Sequence, residues 1–282
     1  MATKAGILQE KEFAANMTQV MDVMKGIALS SFIRLKQLKQ QRFERFVQSF
    51  EGFFHIADLT KAKNPFIQAE SPTLGILLVT SDESFMGGLN FKVVQQGLEL
   101  AGELPCEFMI TGTKGGAMLK SYKKPYTTFP PVKEGRFYEI AIKIKDYIVK
   151  QIQEKKIGKV TAIYAEPLSF SVQQASTVPL LPAHDMYNPE LNKDVDPKEK
   201  IISESKIDKI MEYLTHIWIT NKLYGLFEDN KMAEFAAQSL QLDGSLQNLT
   251  EMNKKLKLLF VKTRRELIDS SLREIVSSRL IK

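Results

Sequence analysis

Three sets of residues in this chain are of types that do chemistry: glycines at strand–helix junctions, a Ser-Asp-Glu-Ser cluster, and three histidines. The glycines fall in two groups, Gly87-Gly88 and Gly112-Thr113-Lys114-Gly115-Gly116. Glycine frees backbone N–H groups at a helix start, where an anion is favoured, so both groups invite a phosphate-binding reading. Neither matches the dinucleotide fingerprint or the P-loop spacing, and turns that need glycine account for them more simply. Ser81, Asp82, Glu83 and Ser84 follow an apolar run, the place where open α/β sheets often carry active sites. No nucleophile elbow surrounds them and no histidine is near in sequence, so the cluster reads as a turn and helix cap. His55, His184 and His216 lack the paired spacing of a metal site, and Cys106 is the only cysteine. The expectation is a chain with no catalytic residue, no metal and no cofactor.

The elements that would carry these residues are readable. Leu74 to Thr80 is a short apolar run predicted as a buried strand, with a turn region from Ser81 to Gly88 and a helix over Leu89 to Ala101. Glu107 to Thr111 and Val160 to Tyr164 are two more strand candidates, the second cut off by Pro167. A helix with Ile140, Ile144 and Ile148 on one face follows Glu134. Strands and helices alternating in this way predict a small, mostly parallel, Rossmann-like sheet domain of the α/β class. The four prolines between Pro179 and Pro197 predict a loop out of it.

Either side of that domain the apolar period is 3.5. Phe13, Met17, Val20, Met24 and Ile27 alternate steps of four and three; after a one-residue phase shift Ala28, Phe32 and Leu35 resume it, then Phe46, Phe53 and Ile56. Leu242, Leu246, Leu249, Asn253, Leu256, Phe260, Thr263 and Leu267 do the same near the end. This is the period of a left-handed coiled coil. The two segments predict an antiparallel coiled coil of the N- and C-terminal helices with the sheet domain inserted between them. Met17, Val20, Leu249, Asn253, Leu256 and Phe260 are its seam, and the polar Asn253 is a candidate for fixing register. The expected divisions are residues 1–65, 73–190 and 200–282.

Composition narrows the partners. The chain has 282 residues, 44% of them hydrophobic, and 39 Lys and Arg against 33 Asp and Glu. The excess of six is spread along the chain and would suit an acidic partner, a nucleic acid or an anionic surface, selecting none of them. Lys36, Lys39, Arg42 and Arg45, interleaved with Phe43 and Phe46, admit a nucleic-acid reading, but a solvated face beside the seam explains them better. A lone cysteine excludes an intrachain disulfide framework. No run approaches the ~18 apolar residues of a membrane span, and the start lacks the apolar core of a signal peptide.

Four segments resemble one family, the γ subunit or central rotor shaft of rotary ATP synthases. Leu77 to Asp82, continuing through Gly87-Gly88-Leu89-Asn90, looks like the family's strand and turn, and Ile110 to Gly115 is similar to its second glycine turn. Tyr164-Ala165-Glu166 with Leu180-Leu181-Pro182 resembles a third segment. Ala233 to Ala237, then Thr263 to Ile268 and Glu274 to Ser277, resemble the C-terminal one, and Met24-Lys25 falls where the family carries Met-Lys. The departures are Glu83-Ser84-Phe85-Met86 in the first turn, Arg265 for a Gln, Asp269 and Ser271 for a Thr and a Glu, and a polar end at Arg279 to Lys282. Of the family's contact face only Arg264 is kept.

The resemblance implies a non-catalytic rotor peripheral to the cytoplasmic side of a membrane, without insertion into it. Its terminal helices would stand among the alpha and beta subunits of a catalytic hexamer, touching them through Met24, Lys25, Arg264, Arg265 and Asp269. Its foot domain, with turns at Ser81, Asp82, Gly87, Gly88, Gly112 and Gly115, would face an epsilon-type subunit and the membrane rotor ring. The rotor would couple proton or sodium translocation to ATP synthesis or hydrolysis. Two other readings stay open: a specialised hydrolysis-driven rotary ATPase serving ion pumping or motility, and a non-rotary coiled-coil adaptor.

Overall fold

A computed structural model of the protein describes residues 4–40, 66, 69–181 and 207–280. They form two compact units, Met1–Leu29 with Gln238–Lys282, and Ser30–Ala237. Helices α1 (Lys4–Gln40) and α5 (Ile207–Leu280) contribute to both. Long N- and C-terminal helices in contact, with a mostly parallel sheet domain between them in the chain, are the architecture the sequence predicts.

The second unit is built on five strands: β1 (Leu74–Val79), β2 (Cys106–Thr111), β3 (Tyr126–Phe129), β4 (Lys159–Pro167) and β5 (Gln173–Leu181). Their order is β3-β2-β1-β4-β5. The first four are parallel, with Leu78 opposite both Ile110 and Ile163, and β5 returns antiparallel along β4. Parallel strands need helical crossovers, which cover both faces; this is why β1 reads Leu-Gly-Ile-Leu-Leu-Val with no alternation. Helices α2 (Leu89–Ala101) and α3 (Thr113–Ser121) cover the face of Ile76, Leu78, Phe108 and Ile110. Helix α4 (Phe137–Gln153) covers the other through Ile140, Ile144, Ile148 and Ile152.

Two features of this unit depart from expectation. The Gly112 to Gly116 stretch opens a full helix, α3, and is more than a turn. Pro179 does not begin a loop but sits inside β5. That strand pairs only with β4 in the described sheet, and an edge position tolerates the missing N–H of proline. Phe46, Phe53, Ile56, His55, His184 and the basic run Arg42-Phe43-Arg45 lie outside the described residues, as do Pro182 to Pro197.

In the first unit the seam of α1 differs from the predicted one. Phe13, Val20 and Ile27 are 61%, 51% and 59% exposed, and Met24 is exposed too. Ile7, Ala14 and Ala28 are buried instead, with Lys11, Thr18, Met21 and Lys25 half-buried between them. These residues keep steps of four and three without the phase shift, and Met17 lies only at their margin. Large side chains misled the reading: the small Ala14 and Ala28 take seam positions, where a short side chain lets two backbones approach. On the α5 side Leu249, Leu256 and Phe260 pack with Ile7 and Ala14, and Asn253 is half-buried beside them. Leu267 is exposed. Lys11 lies 5.9 Å from the Phe260 ring centre and Lys25 pairs with Asp243, so numbers fall along α5 as they rise along α1: the helices are antiparallel.

The same α1 series runs on in the second unit with Phe32, Leu35 and Lys39. Phe32 and Leu35 pack against Met232 and Ala236, Phe170 meets Phe32 edge-on at 5.2 Å, and Lys39 pairs with Asp229.

Candidate functional site

The chain leaves β1 toward β2 on one side and reaches β4 on the other, so the β1–β4 boundary is the sheet's topological switch point. In open α/β sheets the crevice beyond the strand ends at that point is where ligands bind. Here α5 supplies its contents. Asn230 Oδ1 accepts the backbone N–H of Ala165, near the end of β4, at 2.9 Å. Asn230 Nδ2 donates to Glu234 Oε1 at 2.6 Å, and Lys231 Nζ meets Glu234 Oε2 at 2.6 Å. The Ser81 hydroxyl, just past β1, accepts from Glu83 N at 3.1 Å and lies near enough to Glu234 to act on its carboxyl. Asn230, Lys231 and Glu234 are 2%, 5% and 1% exposed. Burial pushes the Glu234 carboxyl up, while Lys231 and Ser81 pull it back. Lys231 also lies 3.7 Å from Glu83 and 5.4 Å from the Phe235 ring centre.

The second anion position is filled in the same way. The N-terminus of α3 points its free N–H groups at Asp82, whose Oδ1 accepts from Thr113 N at 2.6 Å, Lys114 N at 3.0 Å and the Thr113 hydroxyl at 3.1 Å. Partial burial raises the Asp82 pKa, but these bonds outweigh it and hold the carboxyl below the ordinary range. Lys114 Nζ then donates to the Glu83 carbonyl at 2.7 Å. The cluster Ser81 to Ser84 is thus a cap for a neighbouring helix rather than for its own. Gly112 (φ +83°) makes the turn into α3, and a Cβ on Gly115 would stand 2.2 Å from Thr80 Oγ1. Gly87 and Gly88 hold positive φ before α2. Ser81, Asp82, Gly112 and Gly115 therefore converge at one end of the sheet.

The proposed contact residues do not converge. Lys25 is engaged with Asp243, whereas Arg264, Arg265 and Asp269 are exposed on α5. At ~1.5 Å per helical residue, Arg264 lies about 30 Å along α5 from Asp243. Arg264 lines a groove of about 410 Å³ with Lys4, Leu267, Ile268, Leu272 and Ile275. His216 packs edge-on to Phe66, and burial, then Lys145, lowers its pKa. Among the described residues no group of three His, Cys, Asp or Glu could hold a metal, and no helix is long and apolar enough to cross a membrane. Sequence reasoning missed Asn230 and Lys231. The available signal was a polar run, Glu228 to Lys231, flanked on both sides by apolar residues, and it reads equally well as a solvated helix face.

Comparison with known proteins supplies the rest. The ATP synthase family profile matches residues 11–279. The ATP synthase gamma chain of Nitratidesulfovibrio vulgaris is 26% identical, over 92% of this chain and 91% of its own. That of Lawsonia intracellularis is 25% identical over 92% of each. In fold, the chain resembles one from the mitochondrial ATP synthase of Euglena gracilis, with a TM-score of 0.70 at 15% identity, covering 98% of this chain and 93% of that one. One from the central stalk and c-ring structure of the Tetrahymena thermophila enzyme gives 0.62 at 19% identity, covering 80% and 99%. The chain belongs to the ATP synthase gamma chain family and is a central-stalk gamma subunit of an F-type ATP synthase, a non-catalytic rotor subunit.

Proposed function

We propose that this chain couples ion flow through a membrane rotor ring to ATP synthesis or hydrolysis by turning inside a hexamer of alpha and beta subunits. The observation that carries the reading is the family match across residues 11–279 of a chain whose terminal helices pair antiparallel. The gamma chains it resembles are named as parts of ATP synthases, and its structural neighbours come from complexes of F1, central stalk and c-ring. A rotor must be stiff in torsion and must present an asymmetric surface to its surroundings. The seam serves the first demand. The exposed apolar residues Phe13, Val20 and Ile27 on α1, and Leu258, Leu272 and Ile275 on α5, support an assembled environment for the second.

Met24, Lys25, Arg264, Arg265 and Asp269 meet the alpha and beta subunits, and the sheet domain meets an epsilon-type subunit and the ring. The chain works at the cytoplasmic side of the membrane as a peripheral component. The test is co-purification from mild detergent with an ATPase assay. Recovery with two large nucleotide-binding subunits and ATP hydrolysis is expected, and Arg264→Ala lowers coupled ATPase without unfolding the chain. Recovery alone, without ATPase, refutes the reading. Loss of folding in Arg264→Ala would make Arg264 a structural residue.

A further inference from the structure

We propose that the Asn230–Lys231–Glu234 face of α5, seated in the switch-point crevice, is the torque coupling between α5 and the sheet domain. The proposal rests on the rotor reading above.

The helix is enclosed where this face occurs. Phe227 packs in the core on the α4 side of the sheet, Ala233 in the core on the α2 side, and Met232 and Ala236 against α1. These apolar contacts seat the helix by shape, and a polar face adds directional contacts to the sheet. The Ala165 N–H on β4 is aimed at Asn230 Oδ1, Lys231 lies 3.7 Å from Glu83 just past β1, and within α5 the Asn230 amide and the Lys231 ammonium each take one oxygen of Glu234. The two contacts that leave α5, from Asn230 to β4 and from Lys231 to the segment after β1, are thus made at one rotation of α5, with Glu234 holding both side chains in place from within the helix. Turning the helix by a single residue, about 100°, breaks both and leaves the buried Ala165 N–H without its acceptor. Buried ion pairs add little stability over apolar replacements of the same volume, and specifying one arrangement is their best-attested use. A rotor needs that specification, because α5 runs unbroken from Ile207 to Leu280 and slippage at this face would let it turn without the sheet. The crevice that related folds use for a ligand is here used for a shaft key.

The experiment compares Asn230→Leu and the neutral pair Lys231→Met with Glu234→Gln in the assembled complex. ATP hydrolysis and ATP-driven ion pumping are measured in the same vesicles. Spin labels at Leu100→Cys on α2 and Tyr213→Cys on α5, both exposed and within the same unit, report distance spread in a Cys106→Ser background. The expected result is hydrolysis retained, ions pumped per ATP lost, and a broader distance distribution. Variants that assemble and match the wild type in pumping ratio and distance spread overturn the proposal alone. If neither variant assembles, the face serves folding only and the proposal falls. If the wild-type chain itself assembles into no pumping complex, the rotor reading fails first.

Discussion

Removing one partner of the buried pair is the most exacting test of how the switch point is held. Lys231→Met keeps the length of the side chain and deletes the ammonium 2.6 Å from Glu234. Glu234, 1% exposed, then keeps one hydrogen-bond donor, the neutral Asn230 Nδ2, with the Ser81 hydroxyl nearby. Breaking a buried pair costs roughly 3–5 kcal/mol, and the surviving Asn230 hydrogen bond with the nearby Ser81 hydroxyl places this case near the lower end, about 3 kcal/mol. That is a large share of the ~5–15 kcal/mol that holds a typical domain together. The carboxyl is already pushed up by burial, and losing the lysine pushes it further. A raised folded-state pKa in an acid means the folded protein binds the extra proton. Stability from that uptake is full below the unfolded carboxylate range and is lost as pH rises through the folded value. The variant is therefore weakest at alkaline pH and recovers as pH falls. Urea unfolding followed by circular dichroism at about pH 8 and about pH 5.5 reads this directly. Adding Glu234→Gln brings the pH 8 loss back to within about 1 kcal/mol, since a neutral amide needs no counter-charge. A single-variant loss under ~1 kcal/mol at high pH, or one that ignores pH, refutes the reasoning.

Three further outcomes are expected. Gly115→Ala drives a Cβ to within 2.2 Å of Thr80 Oγ1 and 2.8 Å of Ile110 Cδ1, and costs ~1–3 kcal/mol by overpacking, read from the shift in Tm; Thr80→Ala in the same chain recovers part of it. Asp82→Ala uncaps α3 and costs ~0.5–2 kcal/mol. Because the Asp82 pKa is depressed in the folded state, its contribution is present above the unfolded carboxylate range and vanishes as pH falls through the folded value, so variant and wild type converge in acid-unfolding curves. Gly244→Ala, in the middle of α5 with nothing within 4 Å of the added carbon, raises stability by ~0.5–1 kcal/mol; a loss would reveal a need for the bare backbone there.

The strands and amphipathic helices were legible because burial on two faces or one writes itself as a run or a period. Leu74 to Val79, Leu89 to Ala101 and the Ile140-Ile144-Ile148 face all appear where the pattern puts them. Helix α3 was obscured by its own glycines, which are needed for close packing on Thr80 and Tyr126 and not for a turn. The α1 seam was obscured because a count of large apolar residues favours the stripe that is exposed, while Ala14 and Ala28 carry the packing. The switch point could not be read at all. Asp82 lies 31 residues from the helix it caps and Asn230 lies 65 from the strand it bonds, and such pairings leave no local period.

The antiparallel pairing of α1 and α5 has a consequence for how the chain is made. Lys25 and Asp243 are 218 residues apart in sequence. At the ribosome's ~5–20 residues per second, α1 waits on the order of 10–40 s for its partner after it has emerged. During that time the sheet domain, whose crossovers are local, has time to form, while Ile7, Ala14 and Phe13 stand open to any passing apolar surface. The loop-closure entropy of joining the two ends falls at the last step. A chain of this design depends on whatever shields its first helix during synthesis, and its yield is set before it ever meets a subunit to turn in.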